Sequence, residues 1–224
     1  MAVRVQFTDQ ISAADGIKVL VYGQSGVGKT SLAVNAPSPL IFSAENGLLS
    51  VRRVRIPYID ISNYKNLLEA FRWFMTSQES RQVGTLILDS ASEIAEVVLA
   101  EELKNSKDPR QAYGKMQQSM YEMMRAFRDV KGKNVVLIAK EIGLDVGVAK
   151  KASPIMPSAS LLAQVPYFWD LVLHMHIGMN TANGETYRAF HTQDNPLWVA
   201  KDRSGNLDPL EQTNLTYIFN KASA

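Results

Sequence analysis

Cysteine is absent from all 224 positions, which excludes disulfides and thiolate metal sites and suits a reducing cytoplasm. Histidine is nearly as scarce, with only His174, His176 and His191. His174 and His176 share a strand face by period-2 spacing, but no third ligand accompanies them, so no metal centre is expected on imidazole. No apolar run approaches the ~18 residues of a membrane span. Met1 to Gly16 carries Asp9 and Asp15 and lacks an apolar core, which argues against a secretory signal. Strong net charge is also missing. A formal +2 offers no global field for nucleic acid, so any such surface must come from local clusters. There is no Asn-Lys-x-Asp guanine-reading element, which speaks against a GTPase, and no internal repeat. What remains, with 46% hydrophobic residues, is enough to fill the core of one globular domain over residues 1–224.

Against these absences stands one strong motif. Gly23-Gln24-Ser25-Gly26-Val27-Gly28-Lys29-Thr30 fits the phosphate-binding pattern G-x-x-x-x-G-K-[ST] at every fixed position. The glycines let the backbone curl so that successive N–H groups aim at the β-phosphate, Lys29 bridges β- and γ-oxygens, and Thr30 offers a hydroxyl to Mg²⁺. The flanks agree. Ile17–Tyr22 reads as a buried strand leading in, and Ser31-Leu32-Ala33-Val34 reads as a helix start facing the anion. The residues from Gly23 to Ser31 are therefore expected to hold ATP.

Apolar runs and helical patterns alternate along the chain, as in a mostly parallel sheet covered on both faces. Further strands are expected at Leu40–Ser43, Arg55–Ile61, Thr85–Asp89, Val135–Ala139 and Trp169–His176. Ser62 reads as the cap of a helix with an apolar face of Tyr64, Leu67, Leu68, Phe71, Phe74 and Met75. A longer helix from Arg110 to Val130 carries a stripe of Ala112, Met116, Met120, Met123 and Phe127, read as core packing rather than a groove. Glu185–His191 and Leu197–Lys201 read as an antiparallel hairpin at the sheet edge, within a C-terminal segment 185–224. Residues 142–166, rich in Gly, Pro and Ser, are long for a structureless connection and are expected to form a functional loop.

Two carboxylates stand out. Asp89 closes the apolar run Thr85-Leu86-Ile87-Leu88, the form of a Walker B element that holds the Mg²⁺ shell. Glu45 follows Pro39-Leu40-Ile41-Phe42-Ser43-Ala44 and lies just beyond the strand after the P-loop helix. There a carboxylate can position or deprotonate the attacking water. The plainer alternative is a solvated loop acid or a partner for a helix cap. Directly after Asp89, where many P-loop ATPases place a glutamate, this chain has Ser90, and the next acid is Glu93.

A P-loop near the N-terminus, a Glu beyond the second strand and Asp-Ser at Walker B together resemble the RecA-like ATPase core. They are most similar to small phage-encoded RecA-like proteins that include single-strand annealing recombinases. Arg110-Gln111-Ala112-Tyr113-Gly114 and Ala200-Lys201-Asp202-Arg203-Ser204-Gly205 resemble the same group, and the likeness runs from Ile17 to Leu210. It implies an α/β fold with helices on both faces of the sheet, ATP and Mg²⁺ as cofactors, and a homo-oligomer, ring or filament, in the (host) cytoplasm. Single-stranded DNA is the implied partner, with a single-strand DNA-binding protein as a further one. Lys201 and Arg203 resemble the K-x-R element that reaches the neighbouring subunit's γ-phosphate, and alternate residues of a strand do face one way. A solvated basic strand end is the alternative. By the same resemblance, Lys104, Lys107, Arg110, Tyr113 and Lys115, then Lys150 and Lys151, fall on segments facing the axis of such assemblies. Basic residues with one aromatic suit single strands, although Glu101, Glu102 and Asp108 dilute the first cluster. Lys140 departs from the pattern, since similar sequences carry a histidine there, and this leaves Lys140 or Glu141 as γ-phosphate sensor. A helicase-type or helicase-loading ATPase and a small-molecule kinase are the alternatives. For the kinase, residues 142–166 would have to serve as a lid, and they contain no arginine to clamp phosphate.

Overall fold

The structure, a computed structural model, describes residues 15–45, 47–146 and 149–224. Most of the expected N-terminal extension (residues 1–16), Asn46 and residues 147 and 148 of the expected functional loop lie outside them.

The central strand β1, Lys18–Gly23, is buried along its whole length. Its Leu20 and Tyr22 face one apolar cluster while Val19 and Val21 face a second, because alternate residues of a strand point to opposite sides. The same split divides β4 (Thr85–Asp89), whose Leu86 and Leu88 oppose Ile87. It also divides β5 (Asn134–Val146), where Val135 and Leu137 oppose Val136 and Ile138. Three helices, α1 (Tyr64–Thr76), α2 (Ala91–Asn105) and α3 (Pro109–Arg128), cover the first face. A 3₁₀ segment at Thr30–Asn35 and the C-terminal helix cover the second.

The remaining strands are β2 (Pro39–Ser43), β3 (Tyr58–Asp60), β6 (Ala149–Pro154), β7 (Leu171–Met179), β8 (Thr186–His191), β9 (Lys201–Asp202) and β10 (Leu210–Gln212). Helix α4 is Ala159–Gln164 and α5 is Leu215–Ala222. Among the described residues the sheet runs β10-β8-β7-β1-β5-β4-β2-β3, with β6 joined to β5 and β9 to β7. Pairing is parallel from β7 through β3 and antiparallel where β8, β9, β10 and β6 join. This is the expected α/β architecture, mostly parallel with antiparallel strands near the C-terminus. Strand β5 lies between β1 and β4, so the P-loop and Asp89 emerge at the same end of the sheet from strands one apart.

Local expectations fared unevenly. The stripe of Ala112, Met116, Met120, Met123 and Phe127 is fully core, as expected of α3, which Asp108 caps by accepting from Arg110 N. The cap of α1 is Asn63, one residue later than expected, and Leu68 and Met75 point to solvent, 46% and 52% exposed. Leu67, Ala70 and Phe74 form its buried face, a narrower stripe than the sequence suggested. β8 does not pair with Leu197–Lys201. It pairs with β7 and β10, and Lys201–Asp202 joins the start of β7 instead. The described part of residues 142–166 is built largely from regular elements, as befits a segment too long for a structureless connection. β5 runs on past the sheet and returns as β6, with α4 following.

Candidate functional site

Gly23 ends β1 level with Lys140 of β5, and the chain then turns through Gly26 and Gly28, whose φ values are +78° and +105°. Only glycine takes such angles without strain, and alternating handedness directs neighbouring N–H groups inward as an anion nest. A Cβ on Gly26 would meet nothing within 4 Å, so its requirement is conformational rather than steric. Lys29 Nζ donates to the carbonyls of Gly23 and Gln24 at 2.7 and 2.9 Å, arching its charge over the turn. Burial lowers its pKa, against the pull of Asp89, Glu45 and Glu141. The expected helix after the loop is the short 3₁₀ segment Thr30–Asn35, so the anion cradle rests on the loop amides rather than on a helix end.

Thr30 Oγ1 donates to Asp89 Oδ2 at 2.5 Å, joining the two residues expected to serve Mg²⁺ although 59 positions separate them. Asp89 is 4% exposed. Its pKa is raised, chiefly by burial and further by Glu45, while the Thr30 bond and Lys29 oppose the rise. A hydroxyl beside a buried carboxylate is a hard-oxygen pair of the kind Mg²⁺ takes together with substrate phosphates. The residues present therefore fit that ion.

In the β2–β4 register Ser43 lies opposite Asp89, which brings the following Glu45 next to Ser90. Ser90 Oγ donates to Glu45 Oε1, and the same oxygen caps α2 by accepting from Glu93 N. The Asp89–Ser90 peptide is cis. Lys140 Nζ sits 2.7 Å from Glu93, 3.7 Å from Glu96 and 3.8 Å from Glu45. Burial draws the Lys140 pKa down, but the Glu93 bond and the surrounding carboxylates outweigh it and leave the pKa raised. Glu141 lies on the other side, its carboxylate 3.0 Å from His174 Nε2. A cavity of about 180 Å³ beside Gln24, Ser25 and Val27 is lined by Glu141, His174 and His176. His174 packs against His176, and His191 packs against both His176 and Trp198. Burial lowers the pKa of all three histidines, and that of His191 reaches about 4. No metal-holding cluster of His, Asp and Glu occurs among the described residues.

Lys201 and Arg203 lie elsewhere. Lys201 is level with Val172 near the start of β7, and its Nζ donates to Pro166 O at 2.7 Å. Arg203 reaches Tyr167 O at 3.0 Å and Asp170 at 3.5 Å. Both side chains do point to one target, the turn at Val165–Phe168. Burial and then Arg203 push the Lys201 pKa down to about 8, with Asp170 opposing. Arg203 also borders a cavity of about 640 Å³ at the sheet end opposite the P-loop. Neither residue touches its own chain's loop.

Both candidate DNA segments extend past the P-loop end of the sheet. The β5–β6 hairpin continues beyond Lys140 and carries Lys150 exposed, whereas Lys151 is paired with Asp194 at 2.9 Å. α3 has 20 residues, about 30 Å of helix against roughly 17 Å of β4, so its first turns outreach the strands. Arg110 and Tyr113 are exposed there, as are Lys104 and Lys107 before it, while Lys115 pairs with Glu102 at 3.3 Å.

Sequence reasoning missed Arg188. Its Nε donates to Val27 O in the P-loop at 2.8 Å. It arrives through β8–β7 pairing, and no local pattern announces that.

A family model described as "AAA domain" matches residues 15–204. No curated protein matches the chain. Among solved structures, a KaiC-like protein from the hyperthermophilic archaeon Pyrococcus horikoshii OT3 is similar at 16% identity and a TM-score of 0.41, covering 79% of this chain and 77% of that one.

Proposed function

The chain belongs to the AAA domain family of P-loop ATPases, and from that premise we propose that it hydrolyses Mg²⁺-ATP as an oligomer that binds single-stranded DNA and promotes strand annealing. The observation that carries the hydrolytic part is the convergence of Lys29, Thr30, Asp89 and Glu45 at one sheet end. Lys29 draws charge from the β- and γ-phosphates while the loop amides hold them. Thr30 and Asp89 would hold Mg²⁺, which when bound neutralises charge developing on the transferred phosphoryl group. Glu45, oriented by the Ser90 hydroxyl, accepts a proton from the water that attacks the γ-phosphorus. The bond to the β–γ bridging oxygen breaks, releasing ADP and phosphate. Lys140 offers a second cation beside Glu45.

Two placements support the remainder. Lys201 and Arg203 sit away from their own chain's loop, which suits a finger serving a neighbouring subunit. Lys150, Arg110 and Tyr113 are exposed on projections at the ATP end, where strand binding and turnover can influence each other. The test is a single preparation assayed for ATP turnover with and without single-stranded DNA, for annealing and for unwinding. DNA-stimulated turnover with annealing is expected. Unwinding without annealing would make the protein a helicase-type motor, and an acceptor requirement with no DNA effect would make it a kinase.

A further inference from the structure

The hairpin β7–β8 brings Arg188 opposite Ile177, and from there its side chain reaches back to the P-loop. Nε donates to Val27 O at 2.8 Å, and no ion pair holds Arg188 among the described residues. The contact is close packed. A Cβ on Gly28 would lie 3.2 Å from Arg188 Nε and 3.5 Å from its Cδ, so the guanidinium stem rests directly on the glycine backbone. Val27 is anchored beneath, 3% exposed in the core cluster that also contains Met175.

Peptide geometry gives this contact a consequence. In a trans peptide the C=O and the following N–H point in opposite directions. The Val27 carbonyl faces outward to Arg188, so the N–H of Gly28 faces the other way, into the cradle between Gly26 and Lys29. A cationic donor on the carbonyl both fixes the rotation of that peptide plane and polarises its N–H, since hydrogen bonds in series strengthen one another. Gly28, at φ +105°, has no side chain to fix it otherwise.

We propose that Arg188 is a positioning residue that orients the Gly28 amide toward the β-phosphate, and so makes the tightness of the phosphate cradle depend on the β7–β8 hairpin. This rests on the nucleotide reading above. Arg188 touches no reacting atom in this role, and its effect falls on binding shared by ATP, ADP and pyrophosphate. Ground and transition states should feel it alike, raising KM with kcat nearly kept.

The test is equilibrium titration of ADP, ATP and pyrophosphate on the parent, Arg188→Ala and Arg188→Lys. Arg188→Ala should weaken all three by about tenfold, the usual worth of one charge-assisted hydrogen bond. Arg188→Lys should recover part of the loss, and millimolar guanidinium chloride should restore binding to Arg188→Ala but not to Lys29→Ala. Unchanged affinity of Arg188→Ala for ADP and pyrophosphate, in a parent that binds both, overturns the proposal and leaves the nucleotide site standing. Weakened ADP with unweakened pyrophosphate also overturns it, because Arg188 would then act on the nucleoside. A loss that neither lysine nor guanidinium recovers marks ordinary structural damage and overturns it too. A parent that binds none of the three removes the nucleotide reading itself.

Discussion

Asp89→Asn should stabilise the nucleotide-free protein while disabling its response to Mg²⁺-ATP, and the two effects have opposite signs for one reason. The carboxylate is 4% exposed, and keeping an ion there costs several kcal/mol after relaxation. The Thr30 hydroxyl at 2.5 Å returns about 1.5–3 kcal/mol, and Lys29 returns some more. Glu45 adds repulsion. The raised pKa means that the balance remains unfavourable to the charged form. Each kcal/mol of relief on neutralisation raises Tm by about 2–4 °C for a chain of this size, so the variant's Tm in chelator should be higher than the parent's. The pH dependence follows from the direction of the shift. Because the folded pKa lies above the unfolded value of 3.8, the penalty is present at neutral pH and disappears as pH falls below that value. The advantage of Asp89→Asn should therefore shrink between neutrality and about pH 4. Thermal unfolding in chelator, then with saturating Mg²⁺-ATP, reads both effects. The parent should gain about 2.7 kcal/mol at a ligand concentration 100 times Kd, and the variant should lose the Mg²⁺-dependent part. A lower Tm for the variant in chelator would refute the reasoning, as would an undiminished Mg²⁺-dependent gain.

Three further outcomes are expected. Glu45→Gln should keep ATP affinity and slow turnover by about 10²-fold or more, since the amide can still accept from Ser90 Oγ but not take up a proton. Turnover at the parent rate would move the base to Glu93 or Glu141. Mixing Arg203→Ala with Glu45→Gln should restore part of the activity each lacks alone, because a mixed interface can pair an intact Glu45 with an intact Arg203. No rescue, together with turnover per chain independent of protein concentration, would confine Lys201 and Arg203 to their local bonds with the 165–168 turn. Lowering pH should destabilise the protein between about 6.5 and 4, because the unfolded chain protonates its histidines while the folded stack of His174, His176 and His191 resists. Thermal unfolding of His191→Phe should show a shallower decline, and an identical slope would assign the acid sensitivity to other groups.

The phosphate loop, Asp89 and the placement of Glu45 were legible in the sequence because each is a local pattern. They are a turn that demands glycine, an apolar strand ended by an acid, and a carboxylate two residues past the strand that follows the P-loop segment. That β1 and β4 are buried strands was legible for the same reason, since Val19–Tyr22 and Leu86–Leu88 are unbroken apolar runs, although which residues face which cluster was not. Non-local pairing was not. That β8 sits between β7 and β10, and that Lys201 joins the start of β7, depends on which edge remains open once the parallel strands are assembled. Arg188 reaches the P-loop only because of that choice, across 161 residues of sequence. The exposure of Leu68 and Met75 on α1 was hidden too, since helical spacing marks a face without saying how much of it the sheet can cover. Ser90 stood in plain view beside Asp89, but its hold on Glu45 required the β2–β4 register.

The most direct test of the whole account is an equilibrium titration of Mg²⁺-ATP on the parent and on Lys29→Ala. The loop would lose the mobile charge that now bonds the carbonyls of Gly23 and Gln24 and that the phosphates should claim. Saturable binding by the parent and severely weakened or absent binding by Lys29→Ala is the predicted result. Equal affinity in the two proteins would contradict the assignment of this loop as the nucleotide site.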